Sequence, residues 1–119
     1  MSGKGVVTIY GLATCDTTRA ARKWLDAGKI SYAFHDVREN GLTRPLVENW
    51  VKQAGWEKVL NKASTTWREL PEKDKASIDG KKAVGLLLAH PTLVKRPVLD
   101  NAGKLTLGFK PDVYNGIFS

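Results

Sequence analysis

Residues 6–25, VVTIYGLATCDTTRAARKWL, decide the fold of this chain. Val6–Tyr10 is a β-branched and aromatic run, which is typical of a core strand. Residues 16–18 (Asp-Thr-Thr) are types that accept the first free N–H groups of a helix, and Gly28 supplies a stop. The intervening apolar residues recur on one helical face: Ala20, Ala21, Trp24 and Leu25. The stretch therefore predicts a buried strand, a short loop and a helix that ends near Ala27.

Cys15, the only cysteine of the chain, falls where the loop becomes the helix. A thiol at a helix N-terminus meets unpaired N–H donors and the positive end of the dipole, which both favour the nucleophilic thiolate. Arg19 lies one turn further on and is placed to add positive charge. A lone cysteine is more often an inert buried residue. The polar, cap-like neighbours of Cys15 favour a reactive thiol instead.

Length and composition predict one domain over residues 1–119. Apolar residues make up 42% of the chain and charged residues 26%, which is ordinary for a soluble globular protein. No apolar run reaches the ~20 residues that a membrane span needs, and the first residues lack the pattern of a signal peptide. One cysteine forms no internal disulfide. We therefore expect a cytoplasmic monomer that does not associate with a membrane.

The net charge of +7 and the pI near 9.7 raise the question of nucleic-acid binding. The 19 basic residues are spread along the whole chain, without a basic tail or an aromatic-basic motif. This pattern favours a solvated basic surface and no direct contact with nucleic acid. A weaker interpretation is attraction of small anionic substrates. The spacing of His35 and His90 indicates no metal site.

The centre of the chain predicts a helical subdomain at about residues 40–92. Residues 32–36 alternate as a second strand, parallel to the first because a helix separates the two. Thr43 caps a helix that Gly55 ends. Further predictions are a short helix at 56–60, an irregular loop at 61–68, a helical piece from Pro71 that Asp79-Gly80 breaks, and an apolar helix at 82–89.

The last quarter of the chain predicts a hairpin and a closing helix. Pro97 opens a short strand, residues 100–103 form a turn, and residues 105–108 return. Pro111 begins a helix whose inward residues are Val113, Tyr114, Ile117 and Phe118. The predicted fold class is α/β, with a mixed four-stranded sheet flanked by helices and a helical insertion between strands two and three.

Arg96 and Pro97 can meet Cys15 in such a sheet. If the Arg96–Pro97 bond is cis, the backbone of Arg96 is exposed beside the thiol and can pair with an extended peptide. The Arg96 side chain would then help to hold the thiol ionised. Holding a cysteine-containing peptide beside a thiolate is what a thiol–disulfide enzyme requires.

Three motifs resemble the arsenate-reductase-like (ArsC/Spx) family, and particularly its YffB branch. They are Thr8-Ile-Tyr-Gly…Cys15-Asp-Thr-Thr-Arg19, Lys95-Arg96-Pro97-Val98 and Gly108-Phe-Lys-Pro-Asp. The resemblance covers residues 6–118. It implies a thioredoxin-like fold, a nucleophilic cysteine at Cys15, an arginine at Arg96 and a cis proline at Pro97.

The chain departs from the family pattern at four positions. Arg96 matches one of three anion-binding arginines of the glutaredoxin-linked arsenate reductases, but Asn61 and Lys110 stand at the other two. Gly11 replaces a family histidine, and Thr18 replaces the second cysteine of many Spx proteins. Lysine lacks the planar fork of arginine, so arsenate reduction is disfavoured. An intramolecular disulfide switch is excluded.

These observations predict a glutathione-dependent thiol–disulfide reductase with a monothiol mechanism, glutathione as co-substrate and no bound cofactor. A second prediction is an Spx-like regulator that binds RNA polymerase without turnover, and a third is residual arsenate reduction. The predicted site has Cys15 as catalytic residue, Arg96 and Pro97 in support, and substrate-binding residues Thr14, Arg19, Arg96 and Lys110.

Overall fold

The computed structural model describes residues 7–118, which divide into two compact units. One unit consists of the chain up to Asp36 together with the chain from Arg96 onward, and the other spans Val37–Lys95. Val6, with which we expected the first strand to begin, lies outside the described residues. Between residues 7 and 118, no helix has the length and apolar character to cross a membrane.

The first unit contains a mixed four-stranded sheet, which confirms the predicted fold class. Its strands are β1 (Val7–Gly11), β2 (Ala33–Asp36), β3 (Val98–Asn101) and β4 (Lys104–Leu107), in the spatial order β2-β1-β3-β4. β1 and β2 are parallel, whereas β3 is antiparallel to both β1 and β4. The parallel pair follows from the helix between β1 and β2, and the antiparallel pair from the tight turn after Asn101.

Eight α-helices lie along the described chain: α1 (Asp16–Ala27), α2 (Val37–Asn40), α3 (Arg44–Ala54), α4 (Trp56–Val59), α5 (Thr65–Glu69), α6 (Glu72–Lys75), α7 (Gly80–Ala89) and α8 (Pro111–Phe118). A single 3₁₀ turn, Pro91–Leu93, follows α7. α1 and α8 belong to the first unit, and the other six helices to the second.

The core of the first unit lies between one face of the sheet and the helices α1 and α8. Its buried members are Val7, Ile9, Ala21, Leu25, Leu99 and Tyr114. Ile117 and Phe118 pack against this cluster as predicted. Val113 was predicted to face inward, but its side chain is 45% exposed. Neighbouring helical residues lie about 100° apart, so Val113 and Tyr114 do not share one face.

In the second unit, α3 packs against α7. Thr43 caps α3 by accepting the N–H of Leu46 at 3.4 Å, and the helix ends at Gly55, whose φ is +91°. Both boundaries were predicted. The buried residues of the two helices are Val47 and Trp50 on α3 and Ala83, Val84 and Leu87 on α7.

Two local predictions in this unit were wrong, and one short helix was missed. Residues 61–68 are not an irregular loop throughout, because the Ser64 hydroxyl accepts the N–H of Trp67 at 3.1 Å and begins α5. Asp79 does not simply break a helix, because its carboxylate accepts the N–H of Lys82 at 2.8 Å and caps α7. The short helix α2 was not predicted at all. One turn of helix shows no apolar period, so capping residues are its only sequence signal.

Replacing Tyr114 by phenylalanine tests the cost of a buried hydroxyl. Within residues 7–118 the Tyr114 hydroxyl has no hydrogen-bond partner, and burial raises the pKa of Tyr114. We expect Tyr114→Phe to leave the free energy of unfolding unchanged or to raise it by up to ~1 kcal/mol. The control is Tyr32→Phe, which loses the bond from Arg22 Nε to the Tyr32 hydroxyl at 3.4 Å. A loss of more than ~1 kcal/mol for Tyr114→Phe in urea titrations would contradict this.

Candidate active site

Cys15 is itself the N-cap residue of α1, with φ −80° and ψ 125°. The residues that we expected to cap the helix, 16–18, instead form its first turn. The Cys15 carbonyl accepts the N–H of Arg19 at 2.9 Å, and the Cys15 N–H donates to the carbonyl of Leu12 at 3.0 Å. The backbone around the sulfur is therefore fixed on both sides, while the Cys15 side chain remains half-buried and reachable from solvent.

Hydrogen bonds and a nearby charge favour the ionised form of this thiol. Burial is the largest single influence and raises the pKa of Cys15, while hydrogen bonds from the N–H and the hydroxyl of Thr18 act in the opposite direction. The N–H of Thr17 and the positive charge of Arg96 also lower the pKa of Cys15, so that it lies below its ordinary value. A half-exposed sulfur with a lowered pKa is the pattern of a reactive cysteine rather than an inert one.

The Thr18 side chain is fully buried beneath the thiol. Its oxygen accepts the N–H of Leu12 at 3.5 Å, while its O–H donates to the Cys15 sulfur. A hydroxyl can accept and donate at the same time, so one side chain joins the loop to the thiolate. From the sequence, Thr18 was predicted only as a helix-capping residue type and as the replacement of a second cysteine. Its direct contact with the sulfur was missed.

Gly11 makes room for Thr18. A Cβ built on Gly11 would lie 2.4 Å from the Thr18 hydroxyl oxygen and 2.6 Å from its methyl carbon. Both distances are shorter than any van der Waals contact, so a larger residue at position 11 must displace Thr18. A glycine at the end of a strand was the only sequence signal of this close approach.

The Arg96–Pro97 peptide bond is cis. Pro97 is buried, and its carbonyl accepts the N–H of Gly108 at 2.8 Å, just beyond β4. Arg96 is half-buried, and its charge acts on the Cys15 thiol. The structure thus brings together the cysteine and the arginine that the sequence analysis assigned to one site.

The remaining predicted site residues are exposed. Thr14 immediately precedes Cys15, and Lys110 immediately precedes α8. The Arg19 guanidinium lies 3.9 Å from the carboxylate of Asp16. Asp36, which the sequence analysis did not consider, accepts the N–H of Ala13 at 3.0 Å and ties the loop before Cys15 to the end of β2. Over residues 7–118, no three His, Cys, Asp or Glu side chains form a cluster that could hold a metal ion.

The family of the chain is decided by comparison with known proteins. A sequence model of the ArsC family matches residues 10–117. The chain belongs to the ArsC family. The matched residues include Cys15, all of α1, Arg96 and Pro97, and the whole sheet except residues 7–9.

Three similar proteins show the range of this ArsC family. The solved structure of a protein called YffB is 44% identical, with a TM-score of 0.93, and the match covers 96% of this chain and all of the other. An uncharacterised protein of Haemophilus influenzae is 40% identical over 96% of this chain and its own full length. The global transcriptional regulator Spx of Streptococcus pneumoniae is 24% identical over 90% of this chain and 81% of its own.

In this member of the ArsC family, Asn61 stands where the resemblance to arsenate reductases would place an anion-binding arginine. Its side-chain carbonyl accepts the N–H of Ala63 at 3.0 Å, and its backbone carbonyl accepts the N–H of Ser64. Both acceptors thus serve a local turn of the second unit. A neutral side chain held in a turn cannot supply the charge that an arginine would bring to an oxyanion.

Proposed function

We propose that this ArsC-family protein is a glutathione-dependent thiol–disulfide reductase in which Cys15 is the reacting sulfur of the protein. The observation that supports the proposal most is the half-exposed thiol at the start of α1, whose pKa is lowered by Thr18, Thr17 and Arg96. A thiolate at neutral pH attacks a disulfide, whereas a thiol does not.

The reaction proceeds in two balanced exchanges. The Cys15 thiolate attacks the glutathione sulfur of a mixed disulfide, so that a Cys15–glutathione disulfide forms and the substrate leaves as a thiolate that takes a proton from water. A second glutathione thiolate then attacks the glutathione sulfur of that adduct. This step releases oxidised glutathione and restores the Cys15 thiolate. In the net reaction, one mixed disulfide and one free glutathione give the substrate thiol and oxidised glutathione, so the free glutathione is the only reductant consumed in each cycle.

Cationic side chains around the thiol suit a substrate that carries carboxylates, as glutathione does. The backbone of Arg96, next to the buried Pro97, is proposed to pair with the glutathione main chain in the manner of a short added strand. Arg96, Arg19 and Lys110 are proposed to bind its carboxylates, and the exposed Thr14 to contact it beside the sulfur.

The direct test is to incubate the protein with oxidised glutathione and to determine its intact mass. We expect one glutathione adduct on Cys15, removable by reduced glutathione. The proposal fails if no adduct forms and if iodoacetamide alkylates Cys15 no faster than it alkylates a free thiol near neutral pH.

Replacing Arg96 by alanine is expected to move the pH midpoint of Cys15 alkylation upward. In the native protein the pKa of Cys15 is lowered from its ordinary value, because hydrogen bonds and the charge of Arg96 favour the thiolate. By the same linkage, the Cys15 thiolate stabilises the fold above the unfolded pKa, and this contribution is lost as the pH falls through the lowered folded pKa. The measurement is the iodoacetamide rate constant as a function of pH.

The matched control for Arg96→Ala is Arg19→Ala. Its guanidinium is 65% exposed and lies beside Asp16, so its removal should leave the midpoint where it is. An unchanged profile for Arg96→Ala would show that Arg96 does not help to hold the thiol ionised.

The second candidate function is that of a regulator without turnover. The observation that favours it is the similarity to Spx over 90% of this chain. This candidate predicts that purified RNA polymerase retains the protein and that Cys15 shows no glutathione turnover. Arsenate-dependent oxidation of NADPH with glutathione and glutaredoxin tests for arsenate reduction, which the missing arginines at positions 61 and 110 disfavour.

A further inference from the structure

A groove lies between α3 and α7, within the second unit. It has a volume of about 360 Å³, which is within the range of binding pockets in proteins. Its floor includes Val51 from α3 and Val84 from α7, and Gly80 leaves one end of it without a side chain. The two helices are 11 and 10 residues long, so the groove has walls of about 15 Å, or three helical turns.

The rim of this groove is cationic. Arg44, Lys52 and Lys81 line it, and Glu48 is the acidic residue among them. Glu48 lies 3.7 Å from Arg44 and is therefore neutralised by it. In the described part of the chain, no salt bridge pairs Lys52 or Lys81 with a carboxylate. The ammonium groups of Lys52 on α3 and Lys81 on α7 thus stand without a carboxylate partner among the described residues, on opposite sides of a groove whose floor is apolar.

The start of α7 carries one capping carboxylate, that of Asp79, followed by two lysines. The first turn of a helix prefers acidic side chains, because the N-terminal end of the helix dipole is positive. In α7 the N-cap Asp79 meets this preference, while the first turn itself holds no acidic residue and carries Lys81 and Lys82. The Lys82 ammonium turns back to the carbonyls of Lys73 and Ala76. Lys81 stays at the groove, where its ammonium can pair with a carboxylate from outside.

We propose that the groove between α3 and α7 binds an acidic amphipathic helix of a partner protein. Apolar side chains at positions i and i+3 or i+4 of that helix cover Val51 and Val84, while flanking Asp or Glu side chains pair with Lys52 and Lys81. A nucleic acid does not match this groove, because an apolar floor offers no partner to a phosphate backbone. The contact is small, so the complex is transient. This inference does not depend on the chemistry of Cys15.

The test is a selection from a displayed library of random 16-residue peptides on the full-length protein. We expect enriched peptides with Asp or Glu around helically spaced apolar residues. Their affinity, measured by fluorescence anisotropy, should fall roughly tenfold or more in the variant Lys52→Glu with Lys81→Glu, because attraction becomes repulsion. Affinity should also fall with added salt.

The matched control is Lys58→Glu with Lys73→Glu, which changes the net charge equally. Both side chains are exposed in the same unit and lie outside the groove. We expect this variant to bind the selected peptides as the native protein does. The proposal would be overturned if the selected peptides were basic or uncharged, or if no peptide were enriched. It would also be overturned if both double variants lost the same affinity for the selected peptides. Sedimentation would also overturn it if the native protein self-associates and only the variant Lys52→Glu with Lys81→Glu does not. The occupant of the groove would then be a second copy of this chain.

Discussion

Replacing Cys15 by serine is expected to abolish glutathione-dependent disulfide reduction, with a rate loss on the order of 10³-fold or more. Serine preserves the shape of the site, but its oxygen is not ionised at neutral pH and forms no disulfide. Because Cys15 is the only sulfhydryl of the chain, no other residue can take over the exchange. The measurement is glutathione turnover with a small mixed disulfide, coupled to glutathione reductase.

The control for Cys15→Ser is Thr14→Val, which alters the neighbouring exposed residue and leaves the thiol in place. Since Thr14 is proposed to contact substrate, this variant should change the substrate concentration dependence but retain turnover. Thermal melts of both variants show whether the fold is kept. Turnover that persists in a folded Cys15→Ser protein would rule out the proposed mechanism.

Replacing Gly11 by alanine is expected both to destabilise the protein and to make Cys15 less reactive. The new Cβ would fall 2.4 Å from the Thr18 hydroxyl oxygen, so that the buried Thr18 side chain must move. Overpacking of this kind costs about 1–3 kcal/mol. The displaced hydroxyl no longer donates to the thiolate, so the pKa of Cys15 rises and the alkylation midpoint moves to higher pH.

Two further variants separate the steric effect from the electrostatic one. Adding Thr18→Ala to Gly11→Ala removes both clashing atoms, the hydroxyl oxygen and the methyl carbon of Thr18. The Cβ that remains at position 18 lies 3.1 Å from the new carbon at position 11. We expect the double variant to recover part of the lost stability but not the low alkylation midpoint. Thr18→Val alone should raise the midpoint without the clash. If Gly11→Ala leaves both the melting temperature and the midpoint unchanged, Thr18 is not held as the structure indicates.

Sequence patterns predicted an element correctly where interactions between residues close in the chain specify it. The apolar period of α1, the threonine cap of α3 and the turn before β4 each specify an element through interactions within a few residues. The same kind of reasoning failed at residues 61–68, where Ser64 starts a helix of only five residues. Short helices are stabilised by their surroundings, and propensity within one turn is too weak to show them.

In the candidate site, too, some features follow from residues close in the chain and others only from the fold. The amino-acid sequence by itself placed a lone thiol at a helix start and an arginine before a strand-opening proline, because both depend on neighbours in the chain. Only the tertiary structure decided that Arg96 acts on Cys15 and that Gly11 leaves space for the Thr18 side chain beside the sulfur. Arg96 lies some eighty residues from Cys15 along the chain. Such a contact follows from the pairing of β1 with β3, which no local pattern encodes.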